Sequence, residues 1–286
     1  MTAAASFLGL DRDNPPLYVD DAGQALLRDL KAVIRRQSEA HPRSQQKVLG
    51  PSEIGHPCAR KLAASMLELE RINPDSDPLP SWMGTAGHSR FEDAIEAENR
   101  RMIDAFFARD LNAPVGTAPR CTFREGKPVG RWFAERRVTI RPGLAGTCDL
   151  FDTWTNTVID LKFPGATAHT KYKKSGPSPE YRTQAHAYGK GYVNEGFAVE
   201  RVAIWFIPRG GMLSQSTIWT EPYDEKIVTD CLAKLDNITV LLDDLQIEKN
   251  PALLQLVPTT PSNCKYCPFW TPNPGPSQPH GCKGDS

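Results

Sequence analysis

The residues of this chain best suited to chemistry are Asp149, Asp160 and Lys162. They fall in one stretch, Gly146 to Lys162: an acid, an eleven-residue step, then the triplet Asp160-Leu161-Lys162. Side chains alternate along a strand, so Asp160 and Lys162 share one face while Leu161 points into the core. The triplet ends an otherwise apolar run, Thr157-Val158-Ile159. A core does not select such a pair freely, because a buried charge is costly unless compensated. Two carboxylates can hold a divalent cation such as Mg²⁺ or Mn²⁺, and a neighbouring lysine can orient a water or stabilise developing negative charge. On a solvated hairpin the same residues form only an ion pair.

The elements that must position this set are legible in outline. Residues 147–154 and 157–163 are rich in aromatic and β-branched side chains and read as two strands with Thr155-Asn156 at the turn. Such a hairpin returns Asp149 toward Asp160. Further strands are expected at 132–141, 201–207 and 214–220. Helices are expected at 22–38, 58–70, 84–111, 179–195 and 223–248, where apolar residues recur at helical spacing. Residues 1–20 read as an extended lead-in, and the proline-rich segment after 258 as irregular. The order helices, three strands, helix, two strands, helix predicts an α/β fold with a mixed central sheet flanked by helices. The organisation expected is a 1–50 extension carrying a helix, then a 51–286 domain that includes the cysteine-bearing segment 258–286.

Three more motifs carry polar chemistry. Gln184 and Tyr188 are four apart on a helix and share a face, an amide and a phenol suited to phosphate oxygens or a base. His88 enters a helix after the small-residue run Gly84-Thr85-Ala86-Gly87, and neutral imidazole is a good metal ligand. Glu135 places a carboxylate on the strand before the hairpin, with an outer role. After the Asp-x-Lys strand, Lys171, Tyr172, Lys173 and Lys174 form a basic segment read as a loop, its lysines suited to phosphates and its tyrosine to stacking. Arg182 is a further phosphate candidate.

The chain has 286 residues, 40% of them hydrophobic, and formal net charge zero, which argues against a uniformly basic nucleic-acid coat but not a local basic groove. No run approaches the ~18 apolar residues of a membrane span, and MTAAASFLGLDRDNPP is a poor secretory signal. The expectation is a cytoplasmic protein without membrane partners. The seven cysteines read as ligands or core residues rather than disulfides. Cys121, Cys148 and Cys231 sit in apolar contexts and are expected to be buried. Cys264, Cys267 and Cys282 lie in the final segment, and Cys58 stands alone far upstream.

Taken in order, His88, Gly146–Asp149, Asp160–Lys162 and Gln184–Tyr188 resemble the RecB-type branch of the PD-(D/E)XK nuclease superfamily, over roughly residues 52–282. The resemblance implies a metal-dependent DNA exonuclease acting on single-stranded DNA or DNA ends in recombination, repair or CRISPR-type processing, with protein partners from those processes, in a bacterial or phage-infected cell. It implies His88, Asp149, Asp160 and the backbone carbonyl of Leu161 as metal ligands, Lys162 as the catalytic cation, and Gln184 and Tyr188 as strand-positioning groups. A structure-specific endonuclease and a DNA-binding accessory protein with a vestigial nuclease fold are the alternatives. The cysteine distribution resembles the iron–sulfur branch, which includes CRISPR-associated exonucleases, AddB and phage nucleases. It implies Cys58, Cys264, Cys267 and Cys282 as ligands of a 4Fe–4S cluster. The fourteen residues between Cys267 and Cys282 exceed the usual gap, and His280 or His56 could compete as ligand. The same pattern suits a structural Zn²⁺.

Overall fold

In the computed structural model, which describes residues 21–40, 49–73, 77–112, 114 and 118–284, a mixed five-stranded sheet forms the centre of the larger of two units. The smaller unit holds helix α1 (Asp21–Ala40) and the first turn of helix α3 (Leu79–Phe107). The expectation for residues 1–20 lies outside the described residues.

The remaining elements belong to the larger unit. They are helix α2 (Ala59–Met66), a short hairpin of β1 (Thr122–Arg124) and β2 (Lys127–Gly130), then β3 (Trp132–Arg141), β4 (Leu144–Asp152) and β5 (Thr157–Lys162). Helices α4 (Ala166–Ser175) and α5 (Pro179–Asn194), strands β6 (Arg201–Phe206) and β7 (Thr217–Pro222), and helix α6 (Glu225–Asp244) follow. The sheet order is β3-β4-β5-β6-β7; β5 and β6 run parallel and the other pairs antiparallel. The α4–α5 connection supplies the crossover a parallel pair needs.

Local chemistry explains the element ends. Ser178 caps α5, its hydroxyl accepting from the Tyr181 N–H, and Pro179 occupies the first helical turn where a missing N–H costs nothing. Asp224 caps α6 by accepting from the Lys226 N–H. Glu125 and Gly126 close the β1–β2 hairpin with φ of 51° and 76°, both left-handed. That hairpin was not expected from sequence, although Glu125-Gly126 is its signal. The basic segment read as a loop is the helix α4, whose Gly176 ends it with φ of 73°.

The sheet has two apolar faces. One packs α5 against Val138, Phe151, Val158, Val202, Ile204 and Phe206. The other packs Ile95 and Phe91 of α3 against Leu150, Leu161 and Trp205. Beyond α5, α6 and α2 share a further cluster with Ile140 and Leu144. Asn99 of α3 registers that helix to the sheet: its amide oxygen accepts from the Arg131 and Trp132 N–H groups, both at 3.1 Å, and its NH₂ donates to the Trp132 carbonyl at 2.7 Å. His88 stands three turns earlier on the same helix. Of the three cysteines expected to be buried, only Cys148 is fully so; Cys121 and Cys231 are half-buried.

Candidate active site

A break in strand regularity builds the site. Ala134 pairs with Leu150 and Arg136 with Cys148, so the register sets Glu135 opposite Asp149. Glu135 has φ of 45°, an uncommon conformation for a residue with a Cβ. Leu150 packs on the α3 face, whereas Cys148, two residues before it, packs with Tyr188 and Tyr192 of α5. Both strands therefore switch faces at the Glu135–Asp149 step. Backbone strain of this kind persists only where the surroundings enforce it and clusters at functional sites.

Beside this step β4 and β5 part. Their pairing ends at Leu150 and Ile159. Asp149 bridges the gap, its Oδ2 accepting from the Leu161 N–H at 2.7 Å. His88 Nδ1 lies 3.4 Å from Asp149 Oδ1 and 3.9 Å from Glu135 Oε1. These three side chains are half-buried, and their ligand atoms lie within 4.8 Å of one another; among the described residues they are the one such set of histidine, cysteine and carboxylate groups.

On the α5 side of the fork, Asp160 and Lys162 share a face, with Nζ 2.6 Å from Asp160 Oδ2. Asp160 is fully buried and neither carboxylate oxygen receives an aligned hydrogen bond, so Lys162 compensates it by charge proximity. Burial pushes the Asp160 carboxyl up to about 6 against the pull of Lys162. Lys162 Nζ also donates to Gln184 Oε1 at 3.1 Å, and the Gln184 NH₂ donates to the Tyr188 hydroxyl at 3.1 Å. Burial, with Asp160 nearby, holds the Tyr188 phenol protonated well beyond its ordinary range. Tyr181 places its ring 4.7 Å from Nζ, a contact with no sequence signal.

The arrangement differs from sequence expectation in three places. Glu135, given an outer role, converges with His88 and Asp149, while Asp160 lies outside that set of three and faces Lys162. Tyr172 is not a free stacking platform: its ring is stacked on Phe206 at 4.8 Å and touches Tyr181. Arg182 is not a free cation, because both arms of its guanidinium bond Glu221, which also accepts from buried His186. Lys171, Lys173 and Lys174 remain exposed on α4.

Gly87 shows how tightly the histidine is seated. A Cβ there would come within 2.8–3.0 Å of the Phe163 ring, whose edge-to-face partner is His88 at 5.3 Å. Gly to Ala inside a helix ordinarily gains about 1 kcal/mol. Gly87→Ala is expected instead to lose about 1–3 kcal/mol by overpacking. As Phe163 displaces His88 from Glu135 and Asp149, a smaller rise in melting temperature on adding Mn²⁺ than in wild type is also expected. Melting curves with and without Mn²⁺ check this, and a variant at least as stable as wild type with an undiminished Mn²⁺ shift counts against it.

Cys58, Cys264, Cys267 and Cys282 line one cavity with His56 and His280. No three of these cysteines, among the described residues, form a set as convergent as that of His88. His280 Nε2 donates to the Glu70 carbonyl at 2.9 Å, and His56 Nδ1 accepts from the Cys58 N–H at 3.2 Å. Burial, with Lys61 adding to it, depresses the His56 imidazole to about 4, so it is neutral. Arg60 ties α2 to the segment that follows α6, donating to the Val257 and Gln255 carbonyls, and its Nη1 lies 3.6 Å from Cys282 Sγ. The Ile72 and Asn73 N–H groups both donate to the Pro268 carbonyl at 2.9 Å.

No family model matches the chain, and no curated protein matches it. Among solved structures it is similar to an alkaline exonuclease, LHK-Exo, from Laribacter hongkongensis, at 13% identity and a TM-score of 0.34, covering 44% of this chain and 63% of that one. A second structure, LHK-Exo in complex with dAMP, is similar at 16% identity and a TM-score of 0.33, covering 42% and 63%. The chain thus matches less than two thirds of the length of either structure.

Proposed function

We propose that this protein is a divalent-metal-dependent deoxyribonuclease, an exonuclease that hydrolyses phosphodiester bonds at single-stranded DNA or DNA ends. One observation carries the reading: His88, Glu135 and Asp149 converge at the fork between β4 and β5, beside the buried Asp160–Lys162 pair. Carboxylates with one imidazole suit Mg²⁺ or Mn²⁺. A buried carboxylate without an aligned hydrogen bond is a group whose desolvation a cation offsets. His88, Glu135 and Asp149 would hold the ion, with Asp160 and the Leu161 carbonyl as further ligands. The cation supplies Lewis acidity toward a phosphoryl oxygen and acidifies a water.

The chain's own side chains do the rest. Lys162, steered by Asp160 and Gln184, presents positive charge where negative charge develops on the phosphoryl group. Gln184 and Tyr188 hold each other and orient the strand. Glu135→Gln and Asp149→Asn, assayed with Mn²⁺ on 5′- and 3′-labelled linear DNA, are each expected to lose cleavage by on the order of a thousandfold. Two variants as active as wild type would overturn the site assignment. Resistance of circular single-stranded DNA supports the exonuclease; its cleavage favours an endonuclease.

We further propose that Cys58, Cys264, Cys267 and Cys282 bind a structural 4Fe–4S cluster, with Zn²⁺ as the alternative. The shared cavity supports a bound group. Anaerobically purified protein is expected to carry roughly four iron and four sulfide per chain. Stoichiometric zinc without iron overturns the cluster.

A further inference from the structure

The loop between β6 and β7 combines an exposed apolar tip with an exposed arginine. Leaving β6, the chain stays beside the strand that carries Asp160 and Lys162: the Ile207 N–H donates to the Lys162 carbonyl at 2.8 Å, and the Arg209 N–H to the Pro164 carbonyl at 3.1 Å. The Arg209 guanidinium lies alongside Gly165, the residue that starts α4. Arg209 is exposed and, among the described residues, makes no ion pair. The same holds for Lys171, Lys173 and Lys174 on α4, whereas Arg182, Lys190 and Lys226 nearby in sequence are all paired. In a chain of zero net charge, this leaves cations uncompensated next to the fork.

The loop's tip is apolar and built. Met212 and Leu213 are 73% and 70% exposed. Gln215 closes the turn beneath them, its side chain accepting from the Met212 N–H at 2.8 Å and its own N–H donating to the Met212 carbonyl at 2.9 Å. A Cβ at Gly211 would come 2.5 Å from that side-chain oxygen, so glycine is required for the closure. Two adjacent apolar side chains are therefore held out to solvent on a pre-formed turn, in the loop whose start is hydrogen-bonded to the Lys162 carbonyl.

We propose that residues 207–216 engage the end of a DNA duplex: Arg209 takes a backbone phosphate, and Met212 with Leu213 presses on the terminal base pair and unstacks it. One strand is thereby delivered to the fork. The inference rests on the nuclease reading for its direction. Its chemistry is that of apolar side chains wedged between base steps and paid for by phosphate contacts. Charge complementarity selects a polyanion as the occupant over an apolar protein surface.

The test uses the full chain and a blunt duplex carrying 2-aminopurine in its terminal pair, in EDTA so that no cleavage occurs. Wild type is expected to raise the fluorescence of the end, and Met212→Ser with Leu213→Ser to abolish the rise. Arg209→Gln is expected to weaken binding and lower its salt dependence by about one phosphate contact. With Mn²⁺, the double variant is expected to lower the ratio of duplex to single-strand cleavage by about tenfold. A wild type that leaves the fluorescence unchanged overturns the proposal, as does a double variant that retains the rise, the outcome expected if the tip docks another protein. Failure of wild type to cut any DNA overturns the nuclease reading instead, and the fluorescence arm still decides the loop.

Discussion

Asp160→Asn is expected to reduce metal-dependent DNA cleavage by on the order of a thousandfold or more, while the metal-free protein stays at least as stable as wild type at neutral pH. Asp160 is fully buried, and Lys162 at 2.6 Å is its counter-charge. Removing one partner of a buried pair is ordinarily destabilising, because the other is left uncompensated. Here the survivor is the more solvated partner: Lys162 keeps the Gln184 oxygen and the face of Tyr181. The Asn side chain keeps the shape and removes the costly charge. Activity falls because the carboxylate that steers Lys162 is gone. Cleavage assays beside melting curves in EDTA check the pair of outcomes; wild-type activity in Asp160→Asn refutes the role.

The same carboxyl supplies a pH signature. Its folded-state value, raised by burial to about 6, lies above the ordinary 3.8. Between those values the folded protein holds a proton that the unfolded chain has released. Stability from this group therefore rises as pH falls through about 6 toward 4, and is lost as pH rises through the same window. In EDTA, wild type should show this component and Asp160→Asn should lack it. Equal pH profiles for the two proteins would contradict the burial argument.

Cys58→Ser is expected to have the largest effect on stability, on the order of 5 kcal/mol or more where a structural metal group is lost. Cys58 directly precedes α2, and the three cysteines that share its cavity come from the segment after residue 258. A group bound to all four joins chain ends about two hundred residues apart in sequence. The segment has little regular structure: a short turn at Cys264–Tyr266 and a single bridge between Trp270 and Cys282. Without the group it keeps Phe269 in the cluster shared by α2 and α6, and hydrogen bonds such as those of Asn73 and His280. The variant should melt earlier, lose bound metal and be cut by protease after residue 258. Cys121→Ser, outside the cavity, serves as the control. Equal melting and metal content in Cys58→Ser and wild type would remove Cys58 from the ligand set.

How much of this was legible without coordinates depended on the range of the interaction. The Asp160–Lys162 face follows from strand alternation, and the Gln184–Tyr188 contact from helical spacing. The bounds of β3, β5 and α5 follow from runs of apolar residues and from the Ser178-Pro179 cap. α4 was missed because its composition is polar and its glycine ends suggest a loop. The pairing of Arg182 with Glu221 was hidden because Arg182 is on α5 and its partner comes from β7, distant in sequence.

What the sequence by itself determined about this protein is therefore the local periodic set: the mixed α/β order, the shared face of Asp160 and Lys162, and the irregular cysteine-bearing segment. Only the tertiary structure decided which carboxylates converge. Glu135 joins His88 and Asp149 because its backbone adopts a left-handed φ where β3 and β4 switch faces. No alternation rule contains that switch. It exists because α3 and α5 pack on opposite faces of the sheet, holding a strained residue that the strand alone would relax.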